Sequence, residues 1–378
     1  MAKTIDERLA QLESRRSGMD RLTALAQDSK YEVLAKSLVE ESYKKRAKAM
    51  PYTQYALGAM QEVDQDYTRI SLEEAIRVGK QLKTGLTSAG VDVDFRLQGS
   101  VAANIHIRGV SDVDLLVLNN AFFTYDVNGP RSRAGHFNSP ISYTPLSALQ
   151  FLRTHSESIL SEKFPAADVD VDGAKAIKIS GGSLRRPVDV VPSHWHDSRD
   201  YQASFLERDR GVCILDKRQQ RSILNMPFRH IDELRQRDEL TLFGLKKSIR
   251  LCKHVKADSE EDSIDGLPSF DIAAAMWHAD LGGLLAGYLH ELAILAETQR
   301  HLDVLARNHD FAKTLLVPDG SRKIFDSNSK LRGLNQLSIE MDELALQVSK
   351  EQNPILLFYQ PSWPEVIQAL KSATVPAG

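Results

Sequence analysis

The chain has 378 residues, 42% hydrophobic and 26% charged, which fits a globular protein of two domains or of two lobes sharing a cleft. Its 48 basic and 51 acidic residues leave a net charge of −3. A protein that coats long nucleic acid would be distinctly basic, so no long nucleic acid is expected as partner. The two cysteines, Cys213 and Cys252, are far apart, which argues against a structural zinc site and fits a reducing cytoplasm.

The N-terminal stretch MAKTIDERLAQLESRR is charged throughout and has no apolar signal core. Residues 4–90 have few Pro and Gly. Apolar positions recur there at helical spacing, as in YEVLAKSLVEESYKKRAKAM and SLEEAIRVGKQLKTGLTSAG. The second opens on a Ser71-x-x-Glu74 capping box and stops at Gly90. Residues 1–90 are therefore predicted as a helical segment.

Short Val- and Ile-rich stretches follow, separated by Gly, Pro and Ser: VDVDFRLQG, DVDLLVL, DVDVD, AKAIKIS and PVDVVPS. They read as strands of a mixed sheet across roughly 91–192. TPLSALQFLRTHSESILSEKF is a helix on one face, and SGGSLRRP is a turn between antiparallel strands. A sheet core is placed at 91–215 and a helical lobe at 216–378. The most apolar stretch, 271–296, is interrupted by His278, Asp280, His290 and Glu291, so a buried helix or helix pair is favoured over a membrane span. The terminal SATVPAG is small-residue-rich and expected to be disordered. The fold class is α+β, with a cleft where sheet and helical lobe meet.

Asp-Val-Asp occurs four times, at 92–94, 112–114 and, overlapping, at 168–172. Only the triplet at 112–114 has the context of a metal site. Before it, Gly99 lets backbone approach an oxygen-rich ligand closely. Ser100 offers a hydroxyl and an N–H near a helix start, a place for a terminal phosphate. Asp112 and Asp114 share one strand face because the strand period is two. Asp189, the only acid in the short strand PVDVVPS, supplies a third carboxylate if that strand lies alongside. Three carboxylates suit hard divalent cations. Two Mg²⁺ ions about 3.5–4 Å apart activate a hydroxyl and stabilise leaving pyrophosphate, with Asp189 as candidate base for the hydroxyl proton.

The other triplets lack this context. Asp92 and Asp94 have no phosphate loop upstream and read as the wet face of a strand. Asp168–Asp172 opens like a calcium EF-hand loop, yet the twelfth position is Ile179 where a bidentate Glu is required. A strand edge and turn is the better reading. His194 and His196 read as surface or cleft lining, Trp277 as core, and Arg185, Arg186, Arg322 and Lys323 as solvated loop cations. In LTLFGLKKSIRLCKHVK, Lys246, Arg250 and Lys253 fall on one helix face beside Leu242, Leu245, Ile249 and Cys252. Three cations in line suit a polyphosphate, and a solvated basic face is the alternative.

Gly99-Ser100, eleven intervening residues, Asp112-x-Asp114 and the later isolated Asp189 resemble the signature of the DNA polymerase β-like nucleotidyltransferase superfamily. QGSVAANI, SDVDLLVL and VDVVPS are most similar to the bacterial CD-NTase family. These cyclic oligonucleotide synthases of anti-phage CBASS systems are relatives of cyclic GMP-AMP synthase and oligoadenylate synthetase. The resemblance implies a polymerase β-like core with a spine helix before it and a helical lobe after it. Asp112, Asp114 and Asp189 would be catalytic and hold two Mg²⁺, with Mn²⁺ a substitute. Gly99, Ser100, Arg250, Lys253, Ser269 and Phe270 would bind nucleotide: Lys253 and Ser269 on phosphate, Phe270 stacked on a base.

The implied activity joins NTPs, ATP or GTP, into a cyclic di- or trinucleotide second messenger read by a product-sensing effector protein. Ancillary proteins acting on the C-terminal tail are a further implied partner. The expected location is cytoplasmic, with no membrane association. Two other readings stay open on the residues alone: a linear nucleotidyltransferase acting on an RNA end or a protein hydroxyl, and a non-catalytic nucleotide-binding regulator.

Overall fold

The computed structural model describes residues 3–18, 41–138 and 142–376. The first ten residues of the expected helix at 31–50 lie outside them. Numbering only the longer helices, the N-terminal part holds α1 (Ile5–Ser17), α2 (Pro51–Met60) and α3 (Gln65–Ser88). The Asp64 carboxylate caps α3 by accepting from the N–H groups of Asp66 and Tyr67. Ser71 and Glu74, read above as its capping box, therefore lie inside the helix.

The sheet has seven strands: β1 (Val93–Gln98), β2 (Val113–Tyr125), β3 (Asp168–Asp170), β4 (Ile177–Ser180), β5 (Val188–Asp197), β6 (Gly211–Asp216) and β7 (Arg221–Asn225). The main order is β1-β2-β5-β4-β3; β6 pairs with β5 beyond the end of β4, and β7 pairs with β6. β2 and β5 run parallel and every other pair is antiparallel. Helix α4 (Pro145–Lys163) lies between β2 and β5 in sequence, as a parallel pair requires. The sheet continues past the expected boundary at 215. GVCILD is buried along its whole length, so no alternation marks it as a strand, and RSILN pairs to it across the DKRQQ turn.

Alternation along β2 decides what each sheet face does. Val113, Leu115 and Val117 point into a core with Val78, Leu82 and Leu86 of α3 and Leu152 and Leu160 of α4. Leu116 and Leu118, on the other face, pack with Val191, Trp195, Val212 and Ile214. Asp112 and Asp114 continue this second face towards its open end. Replacing the fully buried Leu82 or Leu116 by Ala is expected to cost ~2–5 kcal/mol, read by chemical denaturation.

The remaining chain is helical: α5 (Pro227–Leu240), α6 (Gly244–Asp258), α7 (Ser269–Trp277), α8 (Ala293–Arg307), α9 (Asn328–Gln352) and α10 (Trp363–Ser372). Leu12 of α1 and Tyr55 and Leu57 of α2 belong to the same core as these helices. The link is also polar: Arg15 holds Asp258 through two bonds of 2.6 and 2.7 Å, and the Tyr55 hydroxyl donates to the same carboxylate at 2.6 Å. The N-terminal segment thus serves two bodies, α1 and α2 on the helical lobe and α3 on the sheet. No helix among the described residues is long and apolar enough to cross a membrane.

The tail differs from the expectation of disorder. Ala373 is buried, its carbonyl 3.2 Å from His290 Nδ1, and Arg46 Nε donates to the Pro376 carbonyl at 2.9 Å. Val375 packs against the helical core, which holds residues 373–376 in place. Residues 377 and 378 lie outside the described residues.

Candidate active site

The strand register assembles one polar row. Gln98 of β1 stands opposite Asp114 of β2, Asp114 opposite Asp189 of β5, and Asp189 opposite Lys178 of β4. Residues directly opposite on neighbouring strands share a face, so these four groups lie side by side across four strands. Asp112 joins them one step before β2 on the same face. Its Oδ2 is 2.6 Å from Lys178 Nζ.

Three features mark the row as strained electrostatically. The Asp114 carboxyl is pushed up from 3.8 to about 7, first by burial and then by the charges of Asp189 and Asp112. Asp189 is raised too, by burial and then by Asp112. Its Oδ1 is buried and lacks a hydrogen-bond partner. A protein keeps such a cluster against its own repulsion where a function uses it.

Gly99 completes the wall. Its φ is +73°, and a Cβ there would lie 2.0 Å from Asp114 Oδ2, so only glycine lets this backbone lie against the carboxylate. The chain from Gly99 makes a single helical turn, Gly99–Ala102. Ser100 sits in that turn, half-buried.

The cation stripe of α6 is distributed differently from the expectation. Arg250 is 2% exposed, and its guanidinium donates to the Met60 carbonyl at 3.0 Å and the Asn104 carbonyl at 2.9 Å. It is a strut joining α6 to α2 and to the turn after Gly99, not a group presented to the cleft. Replacing Arg250 by Met leaves two backbone carbonyls unpaired and is expected to destabilise the protein by ~2–4 kcal/mol, measured by chemical denaturation. Lys246 is tied to Asp238 at 3.6 Å. Leu242 falls outside the helix, in a left-handed conformation and partly exposed, so it is not part of the apolar side.

Lys253 stands nearest to the acidic row. It donates to the Ile105 carbonyl at 2.9 Å and lies 3.2 Å from Ser111 Oγ, one residue before Asp112. Burial, and then the Arg250 charge, lower its ammonium to about 8, while Asp114 opposes the shift. Lys253 and Ser269 line one cavity of about 250 Å³ with Lys256. Phe270 is 41% exposed, stacked on His230 at 4.2 Å, with the Arg322 guanidinium 5.3 Å from its ring. Arg322 also pairs with Asp271, which makes it less a solvated loop cation than a fixed neighbour of Phe270.

The remaining histidines and acids have plain roles. His194 is fully buried against Phe122 rather than lining a surface. Asp92, just before β1, and Asp94 on it are exposed, and Asp168 and Asp170 are exposed on the edge strand β3. Ile179 is core, which agrees with the strand reading of that segment. Sequence reasoning missed Lys178. Its signal was the alternation in AKAIKIS: Ile177 and Ile179 are buried, so Lys178 faces the way Asp189 does.

No protein-family model matches the chain. It is 42% identical over 324 residues to the cyclic dinucleotide synthase CdnE of Yersinia aleksiciae, across 85% of this chain and 83% of that protein. The chain belongs to the bacterial CD-NTase family. A second CD-NTase, a c-di-GMP synthase of Capnocytophaga granulosa, is 31% identical over 299 residues, across 73% of this chain and 81% of that protein. The solved CdnE c-di-GMP synthase from Capnocytophaga granulosa covers 90% of this chain and 97% of its own, with a TM-score of 0.69 and 27% identity. A STING-associated CdnE c-di-GMP synthase from Flavobacteriaceae sp. has a TM-score of 0.72 at 22% identity and covers 94% and 100%. The CD-NTase fold is thus the polymerase β-like nucleotidyltransferase fold expected, and the chain is a nucleotidyltransferase by family.

Proposed function

We propose that this CD-NTase joins nucleoside triphosphates into a cyclic dinucleotide, with Asp112, Asp114 and Asp189 as its catalytic carboxylates. The observation that carries the reading is the β2/β5 register, which sets Asp114 directly beside Asp189 on the open end of one sheet face. In each of two steps a ribose hydroxyl attacks an α-phosphorus, its proton passes to a base, and pyrophosphate leaves. Asp189 would be the base that takes that proton.

The donor set fits divalent metal. Asp189 offers a buried oxygen without a hydrogen-bond partner, and Asp114 carries the repulsion a cation relieves. All donors are carboxylate oxygens, the chemistry that Mg²⁺ takes. Among the described residues no three His, Cys, Asp or Glu side chains are already arranged around one ion; Asp112 is engaged by Lys178 instead. Bound Mg²⁺ would supply charge neutralisation at the attacking and leaving oxygens. Asp112, Asp114 and Asp189 would hold it, Gly99 and Ser100 would lie against the triphosphate, and Lys253 and Ser269 would meet phosphate oxygens from the helical lobe.

GTP is the first substrate to test, because three relatives carry the name c-di-GMP synthase. The family resemblance also supports a second-messenger role in anti-phage defence, with an effector protein reading the product. Incubation with labelled NTPs and Mg²⁺ is expected to give a phosphatase-resistant small product that Asp189→Asn abolishes. A lengthened RNA or a labelled protein would instead identify a linear transferase. Nucleotide binding without turnover would identify a regulator.

A further inference from the structure

The β4 strand places a cation beside the acidic row. Lys178 stands opposite Asp189 in register, and its Nζ reaches past that residue to Asp112 Oδ2 at 2.6 Å. Asp112 is mostly buried, with 13% of its side chain exposed, whereas Lys178 keeps 49%. The Lys178 side chain is thus half-exposed, while the carboxylate it holds is largely covered. It lines a cavity of about 470 Å³ with Asp112, Gly181, Gly182 and Arg185. Arg185 is committed to Glu73 and Glu74 at 2.8 and 2.9 Å.

An ammonium held on Asp112 Oδ2 takes up charge and acceptor capacity of a carboxylate that a divalent cation would also use. We propose that Lys178 is a positioning residue for the metal site: its ammonium competes with a divalent cation for the Asp112 carboxylate. This rests on the reading of Asp112, Asp114 and Asp189 as metal ligands. It adds that metal affinity is held down by a group of the protein itself. Lys178 also lowers the Asp189 carboxyl against the pull of burial, so the same ammonium partly offsets the repulsion in the row.

The test is a Mn²⁺ titration of the full chain without nucleotide, following free ion by electron paramagnetic resonance. Wild type is compared with Lys178→Met, Lys178→Arg and Asp114→Asn, and thermal melts confirm that each is folded. Lys178→Met is expected to bind Mn²⁺ about fivefold more tightly, the size of one competing half-exposed ion pair. Lys178→Arg restores a competing cation and is expected to bind as wild type does. Weaker binding by Asp114→Asn with unchanged or weaker binding by Lys178→Met would overturn the competition and leave the metal reading standing. Unaltered binding by Asp114→Asn would overturn the metal reading, and the competition with it. If Lys178→Met is unfolded, Lys178→Gln is read against the same outcomes.

Discussion

Asp114→Asn is expected to lower nucleotide joining by ~10³-fold or more while making the protein more stable at pH 8. The activity loss follows from removing one of three carboxylates whose cation supplies several kcal/mol of transition-state charge stabilisation, and about 4 kcal/mol is a factor of ~10³ in rate. The stability gain follows from the sign of the pKa change. In the folded protein burial, Asp189 and Asp112 raise the Asp114 carboxyl from 3.8 to about 7. The stability this group contributes is fully present below pH 3.8, where the carboxyl is protonated in both states, and is lost as pH rises through about 7. The loss is at most about 4 kcal/mol. Asparagine carries no charge to lose. Thermal melts in the absence of divalent ions are therefore expected to coincide for the two proteins near pH 4 and to separate by pH 8. Adding Mg²⁺ is expected to raise the melting temperature of wild type more than that of the variant. A variant that is both inactive and less stable at pH 8 would point to a structural role for Asp114.

Gly99→Ala carries the second large expectation, a fall in turnover of ~10²-fold. The left-handed backbone alone costs a non-glycine residue ~1–2 kcal/mol. A new Cβ 2.0 Å from Asp114 Oδ2 must also push that carboxylate aside, and an ångström of misplacement at reacting groups costs about 10²-fold. Gly90 provides a matched control: its φ is +78°, and nothing lies within 4 Å of a Cβ built there. Gly90→Ala should show the backbone cost in denaturation and keep its turnover and metal affinity. Equal turnover losses in the two variants would mean that the contact with Asp114 has no part in catalysis.

Much of this site was legible because strands carry a strict two-residue period. Asp112 and Asp114 had to share a face, and the Val-rich neighbours of Asp189 marked a buried strand. That this strand lies beside β2, and parallel to it, was a condition of the reading that the structure meets. Context, rather than the repeated Asp-Val-Asp, separated 112–114 from 92–94 and 168–172. The structure bears out the wet strand faces there: Asp92, Asp94, Asp168 and Asp170 are all exposed.

The helical lobe was less legible, because a helix face shows which residues lie together and not what they meet. Lys246, Arg250 and Lys253 do form a stripe on α6. The stripe meets Asp238, the Met60 and Asn104 carbonyls, and the Ile105 carbonyl with Ser111. These partners come from segments remote in sequence, so a solvated face and a phosphate track were equally consistent with the spacing. The final two strands escaped because β6 is apolar from Val212 to Leu215 and buried on both faces, so it offers no alternation. The tail escaped because its contacts, Ala373 with His290 and Pro376 with Arg46, are with residues remote in sequence. Lys178 needed both the alternation of β4 and its register against β5, and the second is a tertiary fact.

If Asp112, Asp114 and Asp189 together form the catalytic metal site, all three bind the same ions. Anomalous diffraction from crystals grown with Mn²⁺ and a non-hydrolysable GTP analogue measures this directly. Mn²⁺ peaks are expected against carboxylate oxygens of all three residues, with Lys178 Nζ displaced from Asp112. Mn²⁺ peaks elsewhere, with the Lys178–Asp112 pair intact beside the bound nucleotide, would contradict that metal site.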